Sequence, residues 1–180
     1  KGEKLFKAIS PERLLALLKE KEVAVTRALP EMQACFMKVE PEADAYVYKG
    51  IEGVKNYLKD ILKTKQPVYF IGAKAMWLDP RLDTFLPHFE KERRKLGIKF
   101  RHLFDYEVKE HKPAILNVVG KPYKFLPKEY SSPTMVDIFG PYVVTFIGVQ
   151  PGKLPEEPIM FVMKNQKLAD GYRQFFQFMW

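Results

Sequence analysis

Apolar positions change their period several times along the chain, and each change marks an element. Residues 134–139 (Thr-Met-Val-Asp-Ile-Phe) and 142–147 (Tyr-Val-Val-Thr-Phe-Ile) are short runs rich in β-branched and aromatic side chains, parted by Gly140-Pro141. This predicts a hairpin with a two-residue loop whose arms are central strands. Nearer the start the spacing is helical. Leu14, Leu18, Lys21, Val25, Ala28, Met32 and Cys35 alternate at four and three residues, a coiled-coil seam broken once by Lys21. Ser10-Pro11-Glu12 opens this helix with a capping hydroxyl, Pro at the first helical position and an acid in the first turn. Pro30 falls inside it, which predicts a kink or restart over residues 26–30. Such a stripe packs either on a partner helix or on the chain's own domain.

Residues 38–45 lose periodicity and read as a linker. Tyr46-Val47-Tyr48 is a short strand, and Ile51, Val54, Leu58, Ile61 and Leu62 keep helical spacing up to Lys63. Residues 68–71 form a buried strand ending at Gly72-Ala73-Lys74. The next helix shows Phe85, Phe89 and Leu96 on one face, with Asp83 or Thr84 as its cap and Gly97 just past its end. Residues 98–104 are a strand again, so strand, helix and strand make a βαβ unit with parallel strands. Residues 114–119 read as a further strand, 120–122 as a turn and 123–126 as a return strand. After the hairpin, residues 150–158 with three prolines form a surface loop. Residues 159–163 are the last strand, and Asn165 caps a final helix. Its apolar face, Leu168, Tyr172, Phe175, Phe176 and Met179, is expected to be core.

Composition narrows the function classes. With 180 residues and 47% hydrophobic content there is room for one compact domain plus an appendage. No apolar run reaches the roughly 18 residues of a membrane span. One cysteine excludes an internal disulfide and a Cys-rich zinc site, and fits a reducing, cytoplasmic setting. The chain begins at Lys1, not Met, and is expected to be a fragment or processed product. The net charge of +8 favours anionic partners. The basic residues are interleaved with Glu apart from the run 91–95, which reads either as a solvated helix face or as a nucleic-acid contact.

Candidate chemistry is sparse. His88, His102 and His111 are too far apart for a ligand cluster, and no phosphate loop, dinucleotide fingerprint or nucleophile elbow occurs. No metal, cofactor or enzyme activity is expected. Ligands of open α/β sheets bind beyond the carboxyl ends of the strands. Those ends here are residues 72–74 and 105–106, so Gly72, Lys74, Asp105 and Ser132 are the candidate rim of a ligand site. Lys74 and Asp105 either face a polar ligand together or are solvated loop residues. Trp77 is either a stacking platform or a plug over the core.

The hairpin resembles the signature strand pair of the phospholipase D-like fold. There a strand carries a His, a Lys two positions later and an Asp five beyond that, then Gly and a second strand. Aligned on Gly140, those places hold Ser132, Thr134 and Phe139. A nucleophilic imidazole has no substitute in Ser or Thr without a general base. The resemblance therefore implies an α/β fold, a phospholipase D-like mixed sheet flanked by helices and preceded by the long coiled-coil-type helix, without the chemistry. A phosphodiesterase using atypical residues is the alternative.

Five stretches in order resemble the TrmB family of archaeal transcriptional regulators: Ser10-Pro11-Glu12, Ala28-Leu29-Pro30-Glu31, Tyr48 to Gly53, Tyr69-Phe70-Ile71-Gly72 and Tyr172 to Trp180. The resemblance implies that residues 1–9 end a winged-helix DNA-binding domain that is otherwise missing, and that residues 10–37 form a dimerisation helix. Residues 46–180 would then be a non-catalytic phospholipase D-like regulatory domain. The implied interface of a homodimer is Leu14, Leu18, Val25, Ala28, Met32 and Cys35. The implied partners are DNA, through the missing domain, and a small-molecule effector such as a sugar or other metabolite, with no membrane. A basic nucleic-acid-binding domain is a further alternative.

Overall fold

The computed structural model describes residues 10–38, 43–111 and 114–180, and of residues 35–38 the backbone only. The strand end expected over residues 1–9, most of the linker and the Cys35 side chain lie outside the described residues. The chain divides into two compact units, Lys1–Pro41 and Glu42–Trp180.

The first unit contains helix α1, Pro11–Lys38. It runs through Pro30 without the expected restart. At its start the Ser10 hydroxyl turns to the Glu12 carboxylate instead of the free backbone amides. Leu14, Leu18, Val25 and Met32 are between 55% and 63% exposed, and Ala28 is exposed as well. No helix among the described residues is long and apolar enough to cross a membrane.

The second unit is a seven-stranded sheet with helices on both faces. In chain order its elements are β1 (Asp44–Lys49), α2 (Gly50–Thr64), β2 (Val68–Ala73), α3 (Leu86–Lys95) and β3 (Phe100–Phe104). Then follow α4 (Tyr106–His111), α5 (Ala114–Val119), β4 (Tyr123–Phe125), β5 (Thr134–Phe139), β6 (Tyr142–Ile147), β7 (Ile159–Lys164) and α6 (Gln166–Met179). The sheet order is β1-β7-β6-β5-β2-β3-β4. β2, β3 and β4 are parallel, and every other neighbouring pair is antiparallel.

The hairpin closes as its sequence pattern implies, with Phe139 opposite Tyr142 and Gly140 at φ 48°. A side chain at Gly140 would also stand 3.0 Å from the Thr64 methyl, so the turn needs glycine twice over. Alternation along the strands sends neighbours to opposite faces. Phe70, Phe104 and Phe139 pack with Tyr57, Leu58 and Ile61 of α2 and Phe89 of α3. Leu103, Ile138 and Val143 face the other way, onto Ala169 and Phe176 of α6.

Three expectations are corrected. Residues 114–119 are helical, because Ile115 and Val119 bury a face at a spacing of four that outweighs their β propensity. β4 consequently joins β3 in parallel instead of returning beside a strand of its own. Neither Asp83 nor Thr84 caps α3: Phe85 holds that position with no side-chain bond, while Gly97 ends the helix. The amides of Gly97 and Ile98 donate to the carbonyls of Arg94 and Arg93 in a Schellman closure. The face of α6 is only partly core. Phe176 is buried, but Phe175 and Phe178 are 62% and 92% exposed, and Leu168 and Met179 are covered over only part of their surface.

Candidate functional site

The rim at the carboxyl ends of β2 and β3 begins with a bulge. The register of β2 against β3 slips between Ile71 and Ala73, and Gly72 takes φ 68°. A Cβ there would lie 3.1 Å from the Thr134 carbonyl oxygen, so β5 can approach only a glycine. Beyond the bulge, the ammonium of Lys74 lies 3.1 Å from Asp105 Oδ2 and 2.8 Å from Glu107 Oε2. Lys74 is 2% and Asp105 0% exposed, which overturns their reading as solvated loop residues.

Asp105 is satisfied from several sides. Its Oδ1 accepts from the Glu107 amide at 2.9 Å and the Ser131 hydroxyl at 2.8 Å. Its Oδ2 accepts from the Ser132 amide at 3.1 Å as well as from Lys74. Burial pushes the Asp105 carboxyl up, but these hydrogen bonds outweigh it and hold the group below its usual range. Lys74, Asp105 and Ser132 thus form one network, with Gly72 shaping the strand that delivers Lys74.

The network floors a cavity of about 610 Å³ bounded by Glu107, His111, Ser131, Ser132 and Gln150. Its far wall is the Pro-rich loop, tied in where the Gly152 amide donates to the Lys74 carbonyl at 2.7 Å. A clamp fixes the rest of that loop. Asp79 accepts from Arg81 and from the Leu154 amide, while Arg81 donates to the carbonyls of Leu154, Pro155 and Glu156. The Arg81 guanidinium, helped by the backbone amides, holds Asp79 at about 2. Sequence reasoning missed this clamp, although Asp79-Pro80 is a recognisable turn start. The cavity presents one ammonium, one carboxylate and two hydroxyls, from Lys74, Glu107, Ser131 and Ser132, a set suited to hydrogen-bonding a small polar molecule.

The places that carry catalytic groups in a phospholipase D-like signature are occupied differently. The hydroxyls of Ser132 and Thr134 lie 2.7 Å apart and bond each other. Phe139 is 1% exposed, edge-on to Tyr57 and stacked on Tyr142. Ser132 and Thr134 also line a second, mostly apolar cavity of about 790 Å³ beside α6, with Ile71, Val136, Phe175 and Phe178.

Other candidates resolve as structure. Trp77 plugs the core, stacked on Phe89 and Phe100 and edge-on to Phe70. His102 lies between the parallel rings of Phe70 and Phe104. Burial, aided by the charge of Arg93, lowers it to about 3, so it is neutral. In the basic run, Arg93, Arg94 and Lys95 pair with Glu90 and Glu92 along the helix. Among the described residues no group of three or more His, Cys, Asp or Glu is placed to hold a metal.

No family model matches the chain. No curated protein matches it either. Similar solved structures include Nuc from Salmonella typhimurium, a phospholipase D family member. It is 17% identical, over 77% of this chain and 95% of that one, with a TM-score of 0.50. NucT from Helicobacter pylori is 13% identical, over 77% and 96%, with a TM-score of 0.51. TrmBL2, an archaeal chromatin protein whose structure shows a novel mode of DNA binding, is 16% identical, with a TM-score of 0.46. That match covers 92% of this chain, which spans 62% of the TrmBL2 chain. At these identities the likeness is one of fold: a phospholipase D-like mixed sheet flanked by helices.

Proposed function

We propose that this chain is a non-catalytic, dimerising and effector-sensing part of a TrmB-like transcriptional regulator, with DNA contacted by a winged-helix domain outside these 180 residues. The observation that carries the reading is the replacement of the catalytic places on a phospholipase D-like sheet. A Ser or Thr hydroxyl becomes a useful nucleophile only with a base beside it. Here Ser132 and Thr134 bond each other, and the third place is a buried phenyl ring.

The dimer rests on α1. Its seam of Leu14, Leu18, Val25, Ala28 and Met32 repeats at four and three residues and is exposed. That repeat fits a second copy of the same helix, because a straight seam of period 3.5 supercoils with its equal. A two-fold protein also matches DNA half-sites, which repeat about every 34–36 Å. The effector is a small polar molecule, such as a sugar or another metabolite, in the cavity over Lys74, Asp105 and Ser132. At about 100 times its dissociation constant it would stabilise the fold by roughly 2.7 kcal/mol.

Light scattering on the purified chain tests the core of this reading. The expected result is a dimer, converted to monomer by Leu18→Glu with Val25→Glu. Each lost side chain contributes about 1.5–3 kcal/mol of burial, so the dimer should weaken at least a hundredfold. A monomeric wild-type chain would overturn the proposal. So would phosphodiester turnover that disappears in Ser132→Ala.

A further inference from the structure

At the opposite end of β3 from the Lys74 cluster, two cavities adjoin. One is a slot of about 270 Å³ lined by the core plug Trp77 and by Phe100, on which it stacks, and walled by Leu86, Pro87 and Val118. The carboxylates of Asp83 and Glu90 line it too. The other is a hollow of about 580 Å³ whose lining includes Arg94, Lys99, Arg101 and Lys121 and no carboxylate. The two share Arg93, Phe100 and Val119.

We propose that slot and hollow together form a binding site for a nucleotide carrying a phosphate chain. The base lies in the slot and the phosphates lie among Lys99, Arg101 and Lys121. Each half of the site is made for one half of that ligand. A largely apolar slot with aromatic side chains in its lining takes a nucleobase, and carboxylates at its edge accept from exocyclic amino groups.

The hollow collects cations that lack a counter-charge. Lys99, Arg101 and Lys121 are exposed, and none has a carboxylate within 4.0 Å among the described residues, while Arg94 is held only at 3.6 Å from Glu90. Like charges around one concave surface raise its potential and draw a polyanion. Arg and Lys then bind phosphate oxygens through charge-assisted hydrogen bonds.

The junction is fixed beforehand. The Arg93 guanidinium lies 4.4 Å over the Phe100 ring centre, held by both Glu90 oxygens at 2.7 and 2.9 Å and by the Ile98 carbonyl at 2.7 Å. A ligand spanning the two cavities passes an edge that need not rearrange. The pairing of one slot with one hollow favours a single nucleotide over a strand, which would need successive stacking platforms.

Calorimetric titration of the whole chain with ADP, GDP and CDP tests the site. At least one is expected to bind ten or more times tighter than its nucleoside and than inorganic pyrophosphate. Lys99→Glu with Lys121→Glu should weaken it at least tenfold, and so should Val118→Glu at the slot mouth. Lys167→Glu on α6, a charge reversal away from the site, should leave it unaltered. All four positions are exposed, and an unchanged melting temperature confirms folding. Three results would overturn the proposal: no nucleotide binding, pyrophosphate binding as tight as any nucleotide and indifferent to Val118→Glu, or steeply salt-dependent binding of a single-stranded oligonucleotide where nucleotides fail.

Discussion

Of the carboxylates buried in the sheet domain, Asp105 at the rim and Asp137 in the middle of β5 are fully inaccessible. Asp105 gathers four donors and is held charged. Asp137 has the Tyr57 hydroxyl at 2.7 Å on Oδ2 and, among the described residues, no partner on Oδ1. Burial raises it to about 8, so it is mostly protonated at neutral pH. The cause is position in the sheet. Along β5 the neighbouring backbone amides are engaged with β2 and β6, whereas the turn after β3 and the approach to β5 leave the amides of Glu107 and Ser132 free to turn on a side chain. A charge can be kept dry where the ladder ends, and not where it continues.

The largest test breaks the charged member of the comparison. Lys74→Met leaves Asp105 buried without its counter-charge, and the expected cost is about 3–5 kcal/mol. That is a large part of a total stability on the order of 5–15 kcal/mol. The double variant Lys74→Met with Asp105→Asn removes both charges while keeping a side-chain carbonyl oxygen for the surrounding donors, and should cost less than the single one. Urea midpoints of the three proteins check this, and equal losses in single and double variants would mean that the ion pair is immaterial.

The neutral member should respond next most strongly. Tyr57→Phe deletes the hydroxyl that donates to Asp137, at an expected cost of about 1–3 kcal/mol. The two carboxylates also give opposite pH slopes. Asp137 binds its proton more tightly folded than unfolded, so its contribution is complete below pH 4 and is lost as pH rises to about 8. Asp105 is depressed on folding, so its contribution holds above pH 4 and is lost as pH falls. Asp137→Asn should flatten the slope between pH 5 and 8, measured by urea midpoints, and leave the acid limb in place.

This contrast was half legible in the sequence. The hairpin over residues 134–147, the parallel pairing of β2 with β3 and the Asn165 cap, whose side chain accepts from the Leu168 amide, all follow from local patterns of turn residue and period. Gly72, Lys74, Asp105 and Ser132 could be grouped because strand ends in a parallel sheet share an edge. Their burial could not, since it depends on Ser131 and the Pro-rich loop closing over them from far along the chain. Tyr57 and Asp137, 80 residues apart, carry no local signal of their pairing. α5 was misread because Ala-Ile-Leu-Asn-Val-Val suits a strand until its neighbours decide which side chains are covered. The basic hollow stayed hidden for a related reason: the noticeable run 91–95 is largely paired along its own helix, and the free charges at Lys99, Arg101 and Lys121 come together only when β3 meets the turn before β4.

The smallest effect sharpens the comparison most. Ser131→Ala and Tyr57→Phe each delete one hydroxyl that donates to a buried carboxylate, at 2.8 and 2.7 Å respectively. If a hydrogen bond had a fixed worth, the two would cost the same. Asp105 without Ser131 still has two amides and an ammonium, and Ser131 is exposed, so water can replace its hydroxyl. Ser131→Ala should therefore cost only about 0.5–1 kcal/mol. Asp137 without Tyr57 has no partner among the described residues, and β5 is closed to solvent at that point. The ratio of the two losses, read from chemical denaturation at one neutral pH, measures how far a carboxylate's surroundings rather than the bond itself set the cost. Losses equal within error would mean that the rim cluster is as rigidly sealed as the sheet interior, leaving Ser131 no freedom to yield to a ligand.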